Sequence, residues 1–167
     1  MAHKTAHLTL DGEGLRFQVH TGSGHSLVVA SGPDNEAPTP AELVPVAVAG
    51  CTAMDVISIL RKKRQVVTRY AIDAAGTQME AHPNAFTRID VTHHVEGPGI
   101  DVAAVKRAIE LSATKYCSVG STLASGMTEI HHLFATHDTA AGTRESGEVL
   151  VTGPYLPATD PTLAVAG

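Results

Sequence analysis

The stretch Val48-Ala-Gly-Cys-Thr-Ala-Met-Asp-Val-Ile-Ser-Ile-Leu-Arg-Lys-Lys-Arg-Gln65 sets one cysteine, Cys51, in an almost wholly apolar run that ends in four consecutive basic residues. Upstream, Thr39-Pro40-Ala41-Glu42 carries the signals of a helix start: a capping hydroxyl, a proline at the first position and a glutamate where a capping box needs it. Pro45 follows a turn later, where its missing N–H is expected to bend the helix. From there the helix reads as apolar on every side until Arg61, and the basic residues beyond complement the carbonyl end of its dipole. A helix with no polar face lies in a membrane, in the middle of a protein or in an interface.

Residues 43–60 are eighteen long with one charge, which is the crude pattern of a membrane span. Asp55, past the middle of that run, argues against one, since an aspartate at a span centre costs roughly 2.5–3.5 kcal/mol. No membrane is therefore expected. A chain of 167 residues is too small to surround such a helix alone, so the expected arrangement is a homodimer.

Around this helix the pattern is mostly strands. Residues 7–10, 14–22 and 25–32 are short β-rich runs separated by glycine turns and read as an antiparallel meander. Residues 69–81 and 86–97 read as two long strands. Asp101 caps a second helix over 102–116, Cys117 opens a short helical piece over 118–124, and residues 128–137 close with a strand. The fold class is α+β, with helices against mainly antiparallel sheet. Residues 1–137 are read as one domain and 138–167 as a tail, mobile or adding a small edge strand at 147–153.

Hydrophobic residues make up 43% and charged residues 17%, the composition of a folded globular chain. A net charge of −5 argues against nucleic acid as a partner. The polar, alternating N-terminus lacks the apolar core of a secretion signal, so a cytoplasmic location is expected. There a standing structural disulfide is improbable, and a cysteine pair points to catalysis or redox sensing. The chain has two cysteines, Cys51 and Cys117. A lone cysteine on an apolar helix is ordinarily an inert core residue. Cys117 sits where helix N–H groups would stabilise a thiolate, so spacing alone leaves open which thiol attacks and which resolves.

Asp55, one turn after Cys51, would raise a neighbouring thiol's pKa, so it does not activate Cys51. It is expected to cap or to pair across the dimer. Ten histidines invite a metal reading. However, His93-His94 and His131-His132 lie on strands, where adjacent residues face opposite sides and cannot jointly chelate one ion. No metal or cofactor is expected.

The segments PAELVPVAVAGCTAMDVISILRKKRQ, HPNAFTRIDVTHHVEGPGID and LSATKYCSV together resemble the OsmC/Ohr family of osmotically inducible and organic hydroperoxide resistance proteins. The likeness covers about residues 14–135 with both cysteines in register, and is nearest the less characterised branch with AGC-x-A-x-DV and KYCSV. It implies an intertwined homodimer with central helices between two sheets and active sites at the dimer interface. It also implies a cysteine-based peroxidase for organic hydroperoxides, recycled by a dithiol reductant. In that reading Cys51 attacks the peroxide and Cys117 resolves the product. Two departures stand out. The family's glutamate directly follows the helix-start proline and pairs with an arginine that steadies the thiolate. Here that position is Ala41, and the glutamate is Glu42, rotated by about 100°. Glu42 thus has two readings, capping partner of Thr39 or catalytic residue. For the arginine the sole upstream candidate is Arg16. With these departures, the runner-up function is a non-enzymatic redox sensor or an apolar-ligand-binding protein.

Overall fold

A computed structural model describes residues 3–154 and divides into two compact units, the first ending at Val44 and the second beginning at Pro45. The first is the expected meander. Strands β1 (Ala6–Leu10), β2 (Leu15–Thr21) and β3 (Ser26–Ser31) pair antiparallel in the order β1-β2-β3. Gly12 and Gly24 take positive φ in the connecting turns, which glycine adopts without steric cost.

Helix α1 (Leu43–Lys62) runs unbroken through Pro45. Pro45 does not interrupt it because it is the third helical residue, where an N–H has no acceptor one turn back. The Thr39–Glu42 box does form, but as a turn preceding the helix. The Glu42 carboxylate accepts from the Thr39 N–H at 2.7 Å and its hydroxyl at 2.8 Å, and the Glu42 N–H donates to Thr39 Oγ1 at 3.3 Å.

In the second unit β4 (Arg69–Gln78), β5 (Phe86–Gly97), β6 (Glu129–Asp138) and β7 (Thr143–Thr152) form one sheet in chain order. Pairs β4–β5 and β6–β7 are antiparallel, while β5 and β6 run parallel. A parallel pair needs a crossover, and α2 (Val102–Leu111), a π-helical turn (Ser112–Tyr116) and α3 (Ser118–Ala124) provide it. The helix expected over 102–116 therefore changes pitch at Ser112. Of the region read as a tail, residues 143–152 form β7, and residues 155–167 lie outside the described residues.

Alternation decides which face of the sheet is covered. Ile89, Val91, His93 and Val95 of β5, with Ile130, His132 and Phe134 of β6, are buried. Within this unit α1 contributes a stripe at i, i+4 spacing, Val48, Thr52, Val56 and Leu60, all fully buried. α2 contributes Ala104, Val105, Ala108 and Ile109. Val56, Leu60, Val95, Val105, Ile109 and Phe134 belong to one continuous core. Gly97 is needed at the end of β5, because a Cβ there would overlap the Val66 carbonyl. Among the described residues most of the rest of α1 is half-buried, while Val46 and Met54 are 62% and 69% exposed. By length and composition α1 could cross a membrane; Val56 and Leu60 of its buried stripe belong to the core cluster.

Candidate functional site

The α1 periodicity that buries Val48, Thr52, Val56 and Leu60 sets Cys51 and Asp55 along one edge of the stripe, half-buried and one turn apart. Thr52, the polar member of the stripe, returns its hydroxyl to the Val48 carbonyl at 3.0 Å, which satisfies it without a partner outside the helix.

The second thiol arrives by way of the π turn. The Cys117 N–H donates to the Ser112 carbonyl at 2.9 Å, a five-residue span that widens the last turn after α2. Cys117 then caps α3, its sulfur accepting from the Gly120 N–H at 3.2 Å. Gly120 also keeps this corner compact, since a Cβ there would lie 3.3 Å from the Cys117 sulfur. Cys117 is only 3% exposed. Cys51 lies close enough to act on its thiol, and both cysteines are free.

The Cys117 thiol is pushed up to about 12, chiefly by burial and next by its hydrogen-bonding interaction with Cys51; the nearby Asp55 carboxylate adds to this, and the Gly120 N–H opposes it. The helix-cap position that made Cys117 a candidate thiolate is thus outweighed by desolvation. Burial therefore favours the protonated form of the Cys117 thiol.

Asp55 is held from the opposite side. The Ser112 hydroxyl donates to Asp55 Oδ2 at 3.0 Å, so Ser112 touches both halves of the site, through its side chain to α1 and its carbonyl to Cys117. Asp55 therefore finds its partner within its own chain, on the π turn. It also acts, after burial, to raise the Tyr70 phenol, which stays protonated. Behind Tyr70 lies His93, with Tyr70 Oη 2.7 Å from His93 Nδ1 and the rings stacked at 6.1 Å. Sequence reasoning did not find Ser112 or Tyr70. The one signal for Ser112 was its position five residues before Cys117, a spacing that ordinary helical periodicity ignores.

Glu42 and Arg16 have partners of their own in the first unit. Glu42 is engaged by Thr39, whose backbone N–H and hydroxyl hold its carboxyl below the usual range. Arg16 is ion-paired with Asp11, and with Glu36 at 3.3 Å. The adjacent histidines face opposite sides as strand geometry requires. His93 and His132 are buried, whereas His94 pairs with Asp73 at 2.8 Å and His131 with Glu148 at 2.8 Å.

Known proteins share both the sequence and this arrangement of elements. Over 119 residues the chain is 40% identical to protein YhfA of Escherichia coli strain K12, covering 71% of this chain and 89% of YhfA. A crystal structure of a hypothetical protein from Aquifex aeolicus is 28% identical and superposes with a TM-score of 0.71, over 82% of this chain and 99% of that one. An organic hydroperoxide resistance protein from Elizabethkingia anophelis has the same fold at 14% identity, with a TM-score of 0.59 over 81% of this chain and 95% of its own. The model of the family described as OsmC-like protein matches residues 32–131, a span that holds the whole of α1 and both cysteines. By that match and its 40% identity to YhfA, the chain belongs to the OsmC-like family.

Proposed function

We propose that this protein is a thiol peroxidase for organic hydroperoxides, with Cys51 as nucleophile and Cys117 as resolving thiol. Family membership, with organic hydroperoxide resistance proteins among its structural neighbours, supports a peroxide-related stress function. The observation that carries the finer reading is that Cys51, on the edge of α1, acts on the buried thiol of Cys117, the two being the only cysteines of the sequence. The Cys51 thiolate attacks one peroxide oxygen, the O–O bond breaks, and the alkoxide leaves with a proton as an alcohol, giving Cys51 sulfenic acid. The Cys117 sulfur then attacks the Cys51 sulfur. An S–S bond forms, the S–O bond breaks and water departs. An external dithiol returns the disulfide to two thiols.

The apolar flank of Cys51, with Met54 exposed one turn along α1, suits alkyl or lipid hydroperoxides better than hydrogen peroxide. Exposed Val46 and Met54 on α1 support a homodimer, as do exposed Leu8, Leu10 and Leu15 on the meander. A cytoplasmic setting, where thiols are kept reduced, fits two free cysteines. The reading rests on the thiols and needs neither Arg16 nor Glu42. That both already have partners, Arg16 in Asp11 and Glu36 and Glu42 in Thr39, favours a second reading, a redox sensor or apolar-ligand-binding protein without turnover.

Steady-state consumption of cumene hydroperoxide and of hydrogen peroxide, with dithiothreitol as reductant, tests the proposal. Turnover that prefers the organic peroxide and vanishes in Cys51→Ser is the expected result. A Cys51→Ser variant as active as the parent would sink it.

A further inference from the structure

About three turns beyond Cys51, α1 runs out into Arg61, Lys62, Lys63 and Arg64, all four exposed. None of them makes an ion pair among the described residues, in a chain whose net charge is −5. We infer that Arg61 and Lys62, with Arg64 beside them, hold the anionic head group of an acyl ligand whose chain lies along α1 as far as Cys51. This deepens the peroxidase reading by giving its substrate a charged head, and rests on that reading for the reacting end.

The turn that carries these charges is fixed. The Arg64 N–H donates to the Arg61 carbonyl at 2.9 Å and the Gln65 N–H to the Leu60 carbonyl at 3.0 Å, a Schellman closure of the helix. The Gln65 side-chain carbonyl accepts from the Asp101 N–H at 2.8 Å, which ties the turn to the start of α2. Arg64 takes φ 59 at the position where such a closure usually has glycine. An arginine kept against that backbone preference points to a use for its charge. Two cations in the last turn would already complement the helix dipole, so the second pair calls for another partner.

Helix geometry links this end to the thiol. Rotation of about 100° per residue puts Ser58 and Lys62 each within about 20° of Cys51 around the axis, and Met54 about 60° away. Met54, Ser58 and Lys62 are exposed and Cys51 is half-buried, so they form one open strip on the side away from Val56 and Leu60. Asp55, on the core side of the strip, is engaged by the Ser112 hydroxyl. Val46 lies farther round the helix than Met54, so a second copy seated on those two residues would wall the strip rather than fill it. Length matches as well as charge. A rise of about 1.5 Å per residue sets Lys62 about 16 Å along the axis from Cys51. A bilayer's hydrocarbon core of about 30 Å holds two acyl layers, so one acyl chain spans about 15 Å. A carboxylate held at Lys62 thus brings the far part of an extended chain to the Cys51 sulfur.

The test uses a probe without a peroxide. Dodecanoate, with dodecanol as its uncharged counterpart, is titrated calorimetrically into the reduced full chain. Saturable binding of dodecanoate is expected, with dodecanol clearly weaker and the difference shrinking as salt is raised. Lys62→Gln should weaken dodecanoate by up to about fivefold, the upper range for one exposed ion pair, and the Arg61→Gln, Lys62→Gln double variant further, with dodecanol unchanged in both. Arg64→Gly should weaken dodecanoate while its thermal midpoint equals or exceeds the parent's, because glycine takes that φ freely. Dodecanoate should also slow iodoacetamide labelling of Cys51, and butanoate, too short to span the strip, should not. Equal binding of dodecanoate and dodecanol, no saturable binding, parent-like affinity in the double variant, or labelling of Cys51 unaffected by bound dodecanoate would each overturn the inference. A chain that binds dodecanoate in this pattern but consumes no cumene hydroperoxide keeps the subsite and loses the peroxidase. One that consumes the peroxide and binds dodecanol as tightly as dodecanoate keeps the peroxidase and loses the subsite.

Discussion

Tyr70 Oη lies 2.7 Å from His93 Nδ1, and this hydrogen bond joins the polar edge of the thiol site to a fully buried histidine. His93 has no partner at Nε2, so Tyr70 is its one hydrogen-bonded neighbour among the described residues. Tyr70→Phe keeps the ring and removes the hydroxyl, leaving a buried imidazole unpaired. The expected loss is about 1–3 kcal/mol of unfolding free energy, read from urea denaturation of the parent and variant. A variant as stable as the parent would mean the bond contributes nothing net.

Acid should weaken the fold before the carboxylates titrate. Burial lowers His93 to about 3 and His132 to about 4, with neighbouring histidines adding to both. In the unfolded chain each returns to about 6.5. Below that value the unfolded state binds protons that the folded state does not, so stability falls as pH drops from about 6.5 toward the folded values. The slope approaches about 1.4 kcal/mol per pH unit for each histidine. Urea midpoints at about pH 7, 6 and 5 would show the decline; a flat series would show that these imidazoles are hydrated or charged in the native state.

The two thiols should alkylate in a set order. Cys117 is buried, and its thiol stays protonated at neutral pH, whereas Cys51 is half-buried on the helix edge. Mass spectrometry of the native protein after brief iodoacetamide treatment should find the label on Cys51 first. Earlier labelling of Cys117 would reverse the assignment of nucleophile and resolving thiol.

Gly97→Ala should be among the more damaging small substitutions. The added methyl meets the Val66 carbonyl, which is backbone and has no rotamer to escape into. A loss of about 1–3 kcal/mol is expected from overpacking of this kind. Thermal denaturation gives the comparison, and an unchanged midpoint would show that the 66–97 contact opens freely.

Most elements of the fold were legible because their signals are local. The alternation of residues 86–97, the glycine turns of the meander and the Asp101 cap each act within a few positions, and each appears where it was read. Both cysteines were also legible as a pair, through the company they keep in the family motif. The parallel pairing of β5 with β6 was not, since direction depends on a crossover whose length and packing no short window encodes.

By itself the sequence determined that a long, largely apolar helix carries Cys51 in an α+β fold, because hydrophobic periodicity is written residue by residue. Only the tertiary structure decided what surrounds each group. Cys117 looked like a thiolate at a helix N-terminus until burial outweighed the cap and pushed its thiol up. Asp55 had no visible partner until a π turn brought Ser112 to it from 57 residues away. Desolvation and charge depend on what surrounds a group in space, and that surrounding exists only once the chain has closed on itself.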